Sequence, residues 1–154
     1  MSKVCDHTSV GILVWQDKKL LLIERKRFPF GFAPPAGHLD GDSFGEAAKR
    51  ELKEEVGLNA LSLKLLLKEK KDNKCRRDGG NFHNWEIFEA KTQGEIKPSP
   101  DETKSAGFYD LDFVKRLAQR TNDYDQGKIS DGEWKKNPGL EKAFLDHAEE
   151  LKII

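Results

Sequence analysis

Cysteine, net charge and long apolar runs, each of which marks a class of proteins, are scarce or absent in this chain. Only two cysteines, Cys5 and Cys75, occur in its 154 residues. They show neither the spacing of a metal site nor a disulfide framework, so we expect reduced thiols in a cytoplasmic protein. Since neither a signal peptide nor an apolar run of transmembrane length occurs, no membrane segment is expected.

Net charge is the second absence. The 27 basic residues balance the 27 acidic ones, although charged residues make up 35% of the chain. Because no overall field favours nucleic acid or a membrane surface, stable nucleic acid binding is not expected. The length predicts one domain over residues 1–154 with a sizeable core, and internal repeats and low-complexity tracts are absent.

The chain does contain an acidic helix face with no basic residues to neutralise it, in the segment RELKEEVGL. At about 100° per residue, Glu51, Glu54 and Glu55 share an arc of about 100°. Like charges at i,i+4 destabilise an isolated helix by about 0.2–0.5 kcal/mol per pair, and a divalent cation with oxygen ligands reverses that sign. A solvated acidic face is the alternative, but Lys49 and Lys53 already occupy the solvent side.

Both ends of this helix are marked in the sequence. Ser43 and Glu46 form an S-x-x-E capping box at the start. Gly57 followed by Leu58 fits a left-handed residue and an apolar contact at the end. These signals predict a helix over residues 43–56.

The remaining segments predict an α/β domain with a mixed sheet covered by helices. Apolar or alternating segments predict strands over His7–Trp15, Lys19–Lys26, Leu61–Lys71, His83–Lys91 and the segment SAGFYDL. Asp17-Lys18 is predicted to join the first two strands as a hairpin. Helices are predicted over Asp112–Arg120, opened by a capping aspartate, and over Pro138–Ile154, within a helical extension of about residues 121–154.

Between Gly37 and Leu58 the chain resembles the Nudix hydrolase family, whose signature is G-x5-E-x7-R-E-U-x-E-E-x-G-U with U an aliphatic residue. The second half matches at every defined position from Arg50 to Leu58. In the first half, Gly37 is followed by four residues instead of five, and Asp42 stands where the signature has Glu. The loop before the helix is therefore expected to be one residue shorter than in the family.

The resemblance implies an α/β/α sandwich with a mixed β-sheet. It also implies a Mg²⁺ or Mn²⁺ ion held by Glu51, Glu54 and Glu55 together with the Gly37 carbonyl. The implied reaction is hydrolysis of a pyrophosphate bond in a nucleoside diphosphate linked to another moiety. Glu51 and Glu55 are the first choice for direct ligation, while Glu54 can ligate a second ion or act as the base, with Arg50 holding its carboxylate.

The family commonly adds one more carboxylate from a loop between later strands. In this chain Glu102 is the best candidate, as base or further ligand, because the following AGFYDL predicts the strand after such a loop. Asp101 is the alternative. An ordinary acidic turn after Pro98 and Pro100 explains the segment equally well.

Several residues outside the helix are candidates for substrate binding: Arg25, Arg27, Phe32 and His38. The arginines can meet phosphates or be solvated. Phe32, like Phe28 and Phe30, can stack a base, although core packing is favoured. His38 can touch substrate or make a structural hydrogen bond. Tyr124 and Trp134, in the extension, fit a lid or a dimer contact, so a homodimer is not excluded.

A small nucleotide or phosphorylated metabolite is the implied partner, and its identity is open. Markers that accompany Nudix subfamilies acting on ADP-ribose, dinucleoside polyphosphates, coenzyme A or NADH are not evident, since no proline lies between Gly57 and Lys97 and no tyrosine precedes Tyr109. A nucleotide-sensing module without catalysis is a second reading. An isoprenoid diphosphate isomerase is a third, which would need a cysteine and a glutamate facing each other.

Overall fold

The computed structural model describes residues 3–154, and its strands and helices follow the apolar pattern of the sequence. The strands are β1 (Thr8–Leu13), β2 (Trp15–Gln16), β3 (Lys19–Arg25), β4 (Phe32–Ala33), β5 (Ala36–Gly37), β6 (Asn59–Lys71), β7 (His83–Gln93) and β8 (Thr103–Tyr109). The helices are α1 (Phe44–Val56), α2 (Leu111–Asp125), α3 (Asp131–Lys136) and α4 (Lys142–Glu150).

These strands form two sheets. One has the order β5-β1-β7-β6, in which β1 and β7 run parallel and the other pairs antiparallel. In the other sheet β3 pairs antiparallel with β2, β4 and β8. The combination of parallel and antiparallel pairs confirms the predicted α/β class with a mixed sheet.

The core lies on both sides of β3. Leu20 and Leu22 pack into a cluster with α2 and α4, whereas Leu21 and Ile23 pack into a second cluster with α1. Successive side chains of a strand point to opposite faces, so a continuous apolar run such as LLLI buries both faces. The result is the predicted α/β/α sandwich, with α1 on one side and the later helices on the other.

The predicted hairpin is correct at its turn and wrong in its partner. Asp17 and Lys18 have φ angles of 51° and 64°, and they join β2 to β3. However, β1 belongs to the other sheet, where it pairs with β7. The N-terminal apolar segment therefore divides near Val14, whose carbonyl still accepts a hydrogen bond from Leu21 N–H at 2.9 Å.

Helix α1 has the predicted ends. The Ser43 hydroxyl accepts a hydrogen bond from Glu46 N–H at 3.2 Å and donates to the Glu46 carboxylate at 3.0 Å. Gly57 has a φ of 76°, and its N–H donates to Lys53 O at 3.0 Å. The left-handed conformation at this position favours glycine.

The C-terminal part differs from the prediction in three ways. The capping aspartate of α2 is Asp110, and α3 was not predicted. Helix α4 begins at Lys142 instead of Pro138 because the preceding residues run extended beside β4: Phe32 N–H donates to Gly139 O at 2.8 Å, and Glu141 N–H donates to Phe32 O at 2.9 Å. Among residues 3–154, no helix has the length and apolar composition needed to cross a membrane.

Candidate functional site

The acidic face of α1 lines a cavity of about 450 Å³. Glu55 is the deepest of its carboxylates, with 3% of the residue exposed. The side chains of Glu51 and Glu54 are 12% and 62% exposed. The face predicted from the helical wheel therefore runs from a buried end to an open end across the cavity wall.

Strand β5 closes the cavity beneath these carboxylates. A Cβ added to Gly37 would overlap the carboxyl group of Glu51, so only glycine leaves room for that side chain. The neighbouring Ala36 N–H donates to Glu55 Oε2 at 3.4 Å. Gly37 is thus required for space, in addition to the ligand role that the resemblance implied for its carbonyl.

The two inner carboxyls have strongly shifted pKa values. Burial raises the pKa of Glu51 to about 7, against the lowering effect of the adjacent Arg50. Burial, together with the nearby Glu51, raises the pKa of Glu55 well above its usual range. A cation placed between the two would favour their ionised forms and reverse both shifts.

Arg50 ties the loop after β5 to the helix. Its guanidinium forms an ion pair with Asp42 and donates to His38 O at 2.7 Å and Leu39 O at 3.2 Å. It also donates to Glu51 Oε1 at 3.3 Å. Asp42 therefore reaches Arg50 although the loop is one residue shorter than in the signature and aspartate replaces the longer glutamate.

The division of contacts by Arg50 differs from the expected one. Its closest approach to Glu54 is 4.0 Å, from Nε to Oε1, whereas Glu51 accepts a hydrogen bond from it. Arg50 consequently orients the inner carboxylate more directly than the outer one.

The loop before β8 adds Glu102 to the cavity wall. The loop is anchored on the end of α1, because Lys97 N–H donates to Val56 O at 2.7 Å and Ser99 N–H donates to Glu55 O at 2.8 Å. The negative charge of Glu102 contributes to the raised pKa values of Glu51 and Glu55. Glu102, and not Asp101, is the residue of this pair that lines the described cavity.

The candidates for substrate binding are distributed unevenly. Arg25 and His38 line the cavity, and the Arg25 Nε donates to Pro29 O at 2.6 Å. Arg27 is exposed and lines a small cleft beside it with Glu55 and Glu102. Phe32 packs away from the cavity, edge-on to Tyr109 and Phe113 at ring-centroid distances of 5.9 and 6.2 Å.

A second, more apolar hollow of about 650 Å³ adjoins the cavity. Phe28 lines both, with 46% of the residue exposed, while Phe30 and Trp134 line the second alone. Trp134 is 7% exposed and stacks on Tyr124 at a centroid distance of 4.4 Å. The two aromatic rings that were expected to form a lid or a dimer contact thus stack on each other.

Two features of the cavity do not show in the sequence: the place of Glu141, and the association of Cys75 with His38 and His83. Glu141 caps α4 and is buried, with 8% of the residue exposed; burial raises its pKa, although the charge of Arg25 lowers it. Cys75, His38 and His83 also line the cavity. Burial and the charge of Arg77 lower the pKa of His38 to about 4.

Sequence spacing could not reveal this second group. Cys5 lies beside Cys75, His38 and His83, with all four donor atoms within 4.8 Å of one another. Only the tertiary fold unites positions so far apart in the chain. The sequence predicts reduced thiols without metal-site spacing; in the structure both cysteines are free, and the fold brings them together in this cluster.

The carboxylate end of the cavity suits Mg²⁺ or Mn²⁺. It offers oxygen donors, which these hard cations prefer, and no thiol lies on the α1 face itself. The space left by Gly37 keeps the Glu51 carboxyl inside the cavity. The residues present therefore fit the metal that the resemblance implies.

Comparison with known proteins identifies related sequences and folds. The profile described as NUDIX domain matches residues 6–130. The ADP-ribose pyrophosphatase of Methanocaldococcus jannaschii is 34% identical over 128 residues, a match that covers 80% of this chain and 71% of that protein.

Solved structures give the same result for the fold. A MutT NUDIX hydrolase from Burkholderia pseudomallei superposes with a TM-score of 0.60 at 26% identity, over 69% of this chain and 84% of that one. The NUDIX domain of Shewanella oneidensis NrtR, in a structure complexed with ADP ribose, superposes with a TM-score of 0.58 at 17% identity, over 75% and 78% of the two chains.

Proposed function

The chain belongs to the Nudix family of hydrolases, and from this membership we propose that it cleaves the pyrophosphate bond of a nucleoside diphosphate linked to another moiety, with Mg²⁺ or Mn²⁺ as cofactor. The observation that carries the proposal is the graded set of carboxylates on α1, with Glu55 buried and the Glu51 carboxyl in the space left by Gly37.

Metal binding is assigned to Glu51 and Glu55, with Glu54 and the Gly37 carbonyl as further ligands. Buried carboxyls with raised pKa values gain most from a cation, since it replaces the solvation that they lose. When bound, the ion neutralises phosphate oxygens and lowers the pKa of a bound water. Arg50 acts as a positioning residue, because it holds Glu51 and the loop that follows β5.

The base is assigned to one of the two open carboxylates, Glu54 or Glu102. Both are exposed and both line the cavity, where a general base must lie within reach of the attacking water. Arg25 supplies a fixed positive charge on the same cavity for the substrate phosphates.

ADP-ribose is the first substrate to test. Its support is the relative in Methanocaldococcus jannaschii, which carries that activity in its name and is 34% identical. The absence of subfamily markers in the sequence does not argue against it. The apolar hollow beside the cavity offers Phe28 and Phe30 for stacking a base, whereas Phe32 packs in the core.

The test is a panel of substrates whose products are separated and identified after incubation with Mg²⁺ or with a chelator. The panel holds ADP-ribose, a nucleotide sugar, a dinucleoside polyphosphate, a nucleoside triphosphate and an isoprenoid diphosphate. We expect chelator-sensitive hydrolysis of ADP-ribose to AMP and ribose 5-phosphate. Tight nucleotide binding without turnover of any compound would favour the sensing module, and rearrangement of the isoprenoid diphosphate would favour the isomerase.

A pair of variants tests the assignment of the helix face. Glu55→Gln should lower the metal-dependent rate by about a hundredfold or more, since several kcal/mol of charge stabilisation depend on the ion. Glu46→Gln is the matched control, because either residue completes the capping box at the exposed end of the same helix. Wild-type rates in Glu55→Gln would refute the metal assignment.

A further inference from the structure

Both cysteines of the chain and two of its four histidines meet outside the acidic face of α1. Cys5 comes from the N-terminal segment, His38 from the loop after β5, Cys75 from the loop between β6 and β7, and His83 from the start of β7. Each side chain offers one donor atom, and the four atoms lie within 4.8 Å of one another. Cys5 and His83 are buried at 5% and 1% exposure.

The distances from Cys5 to the two histidines are those of ligands around a tetrahedral ion. Cys5 Sγ lies 3.6 Å from His38 Nε2 and 3.4 Å from His83 Nε2. Zinc bonds of about 2.3 Å to sulfur and about 2.0–2.1 Å to nitrogen, at tetrahedral angles, separate sulfur from nitrogen by about 3.5 Å. The Cys5 sulfur is therefore already at ligand distance from both histidines, and Cys75 Sγ lies within 4.8 Å of all three donor atoms.

The hydrogen bonds of His83 fix the ring in the tautomer that binds metal. Trp85 Nε1, which can only donate, lies 3.1 Å from Asn73 Oδ1, so this atom is an acceptor. His83 Nδ1 lies 3.0 Å from the same oxygen and must carry its proton. The lone pair consequently resides on Nε2, the atom that faces Cys5 Sγ, and Asn73 provides the outer hydrogen bond that metal-bound histidines usually have.

The backbone is arranged to receive both sulfurs. His7 N–H donates to Cys5 Sγ at 3.2 Å, a contact that stabilises a thiolate. A Cβ on Gly80 would overlap Cys75 Sγ, so glycine provides the space for that sulfur. The loop that holds Cys75 is closed by a hydrogen bond from the Cys75 N–H to Gly80 O at 2.9 Å.

We propose that Cys5, His38, Cys75 and His83 bind one Zn²⁺ ion as a structural site. Thiolate and imidazole ligands suit zinc, and four protein ligands leave no position open for substrate. Two thiolates balance the charge of the ion, which makes the complex neutral and allows its burial. Binding displaces the protons of the two thiols to solvent.

The ion would connect three segments that surround the hydrolytic cavity. His38 directly follows Gly37, and the segment of Cys75 also lines this cavity. A bidentate ion pair between Arg77 and Asp40, with N–O distances of 2.6 and 2.9 Å, joins the same two loops. Zinc therefore fixes the loop that is one residue shorter than the family signature.

The proposal is tested by metal analysis of protein purified without a histidine tag. Glu51→Gln/Glu55→Gln serves as the background, because it removes the carboxylates that also attract divalent ions. We expect about one zinc ion per chain in this background, and a loss of that ion when Cys75→Ser is added. His7→Asn is the matched control, since this imidazole lies beside the cluster without belonging to it and its backbone N–H is kept.

Cobalt substitution provides a measurement on the unmutated cluster. Metal-free protein loaded with Co²⁺ should develop strong tetrahedral d–d bands together with thiolate-to-cobalt charge-transfer absorption. Carboxylate ligands cannot produce the charge-transfer absorption. Absence of these bands in the wild-type protein would overturn the proposal. Zinc uptake equal to that of Cys5→Ser/Cys75→Ser, or a Cys5–Cys75 disulfide in place of the ion, would do the same.

The outer hydrogen bond allows a graded test. Asn73→Ala should weaken zinc binding by about 10–100-fold in competition with a chromogenic chelator, while the exposed Asn59→Ala should leave the affinity unchanged. Equal affinity in both variants would contradict the assigned role of Asn73. Neither measurement depends on hydrolysis, so failure of the zinc site and failure of the proposed activity can be told apart.

Discussion

At the scale of single residues, the space at Gly37 controls the position of Glu51. Gly37→Ala introduces a methyl group where the carboxyl group lies. Misplacement of a reacting group by about 1 Å can cost about a hundredfold in rate, so we expect a loss of that order in kcat. Steady-state kinetics with Mg²⁺ at saturation measures the effect.

Gly45→Ala is the control for this substitution. Gly45 lies in α1, and the nearest atom to an added Cβ is Leu63 Cδ1 at 4.0 Å. The kcat of Gly45→Ala should therefore match that of the wild type. An unchanged kcat in Gly37→Ala would show that the Glu51 carboxyl can take a productive position without the space left by Gly37.

The chemistry of the residues was predictable where it depends on local spacing. Glu51, Glu54 and Glu55 share a face because of the helix period alone, and the structure brings Glu102 to the same cavity. The cysteine and histidine cluster could not be predicted, since its members are joined by the pairing of distant strands and loops. Periodicity carries no information about such contacts.

At the scale of elements, helix α1 depends on the cap at Ser43. Ser43→Ala removes the hydroxyl that accepts from Glu46 N–H, and we expect the free energy of unfolding to fall by about 1 kcal/mol. Denaturant titration measures the change. Ser43→Asp should keep most of the stability, because aspartate also caps helices; equal losses in both variants would exclude capping as the cause.

The elements also mark where prediction from sequence ended. Helix α1 was predicted closely because its capping box and its left-handed glycine are local signals. The start of α4 was not, because Pro138 resembles a helix start, whereas Gly139 lies against the backbone of α2 and the chain there pairs with β4. Tertiary contacts decided that boundary.

At the scale of the whole molecule, the raised pKa values of the inner carboxyls make stability depend on pH and metal. An unfolded glutamate ionises near pH 4.5, whereas Glu51 in the folded protein ionises near pH 7. Without metal, the folded protein therefore binds more protons than the unfolded protein between these two pH values. Its free energy of unfolding should fall as the pH rises through this window. Glu55 acts in the same direction.

Thermal unfolding between about pH 4.5 and 8, with and without Mg²⁺, tests this expectation. His38 and His147 act in the opposite direction, because burial lowers the pKa of each to about 4. The comparison that isolates the carboxyls is with Glu51→Gln/Glu55→Gln, whose melting temperature should fall less. Mg²⁺ should raise the melting temperature of the wild type most at the upper end of the range, and an identical pH profile in both proteins would refute the assignment.

The hydrogen bonds at the two ends of the chain have a practical consequence for anyone who wishes to shorten it. The family profile spans residues 6–130, yet Cys5 N–H bonds to Asp78 O at 2.8 Å, and Glu141 reaches the cavity from beyond the other border. An expression clone cut at those borders would retain the whole signature helix. It would nevertheless lose the hydrogen bond between Cys5 and Asp78 at one end, and the segment 139–141 that bonds to β4 at the other. Sequence similarity is therefore a poor guide to where this protein can be trimmed.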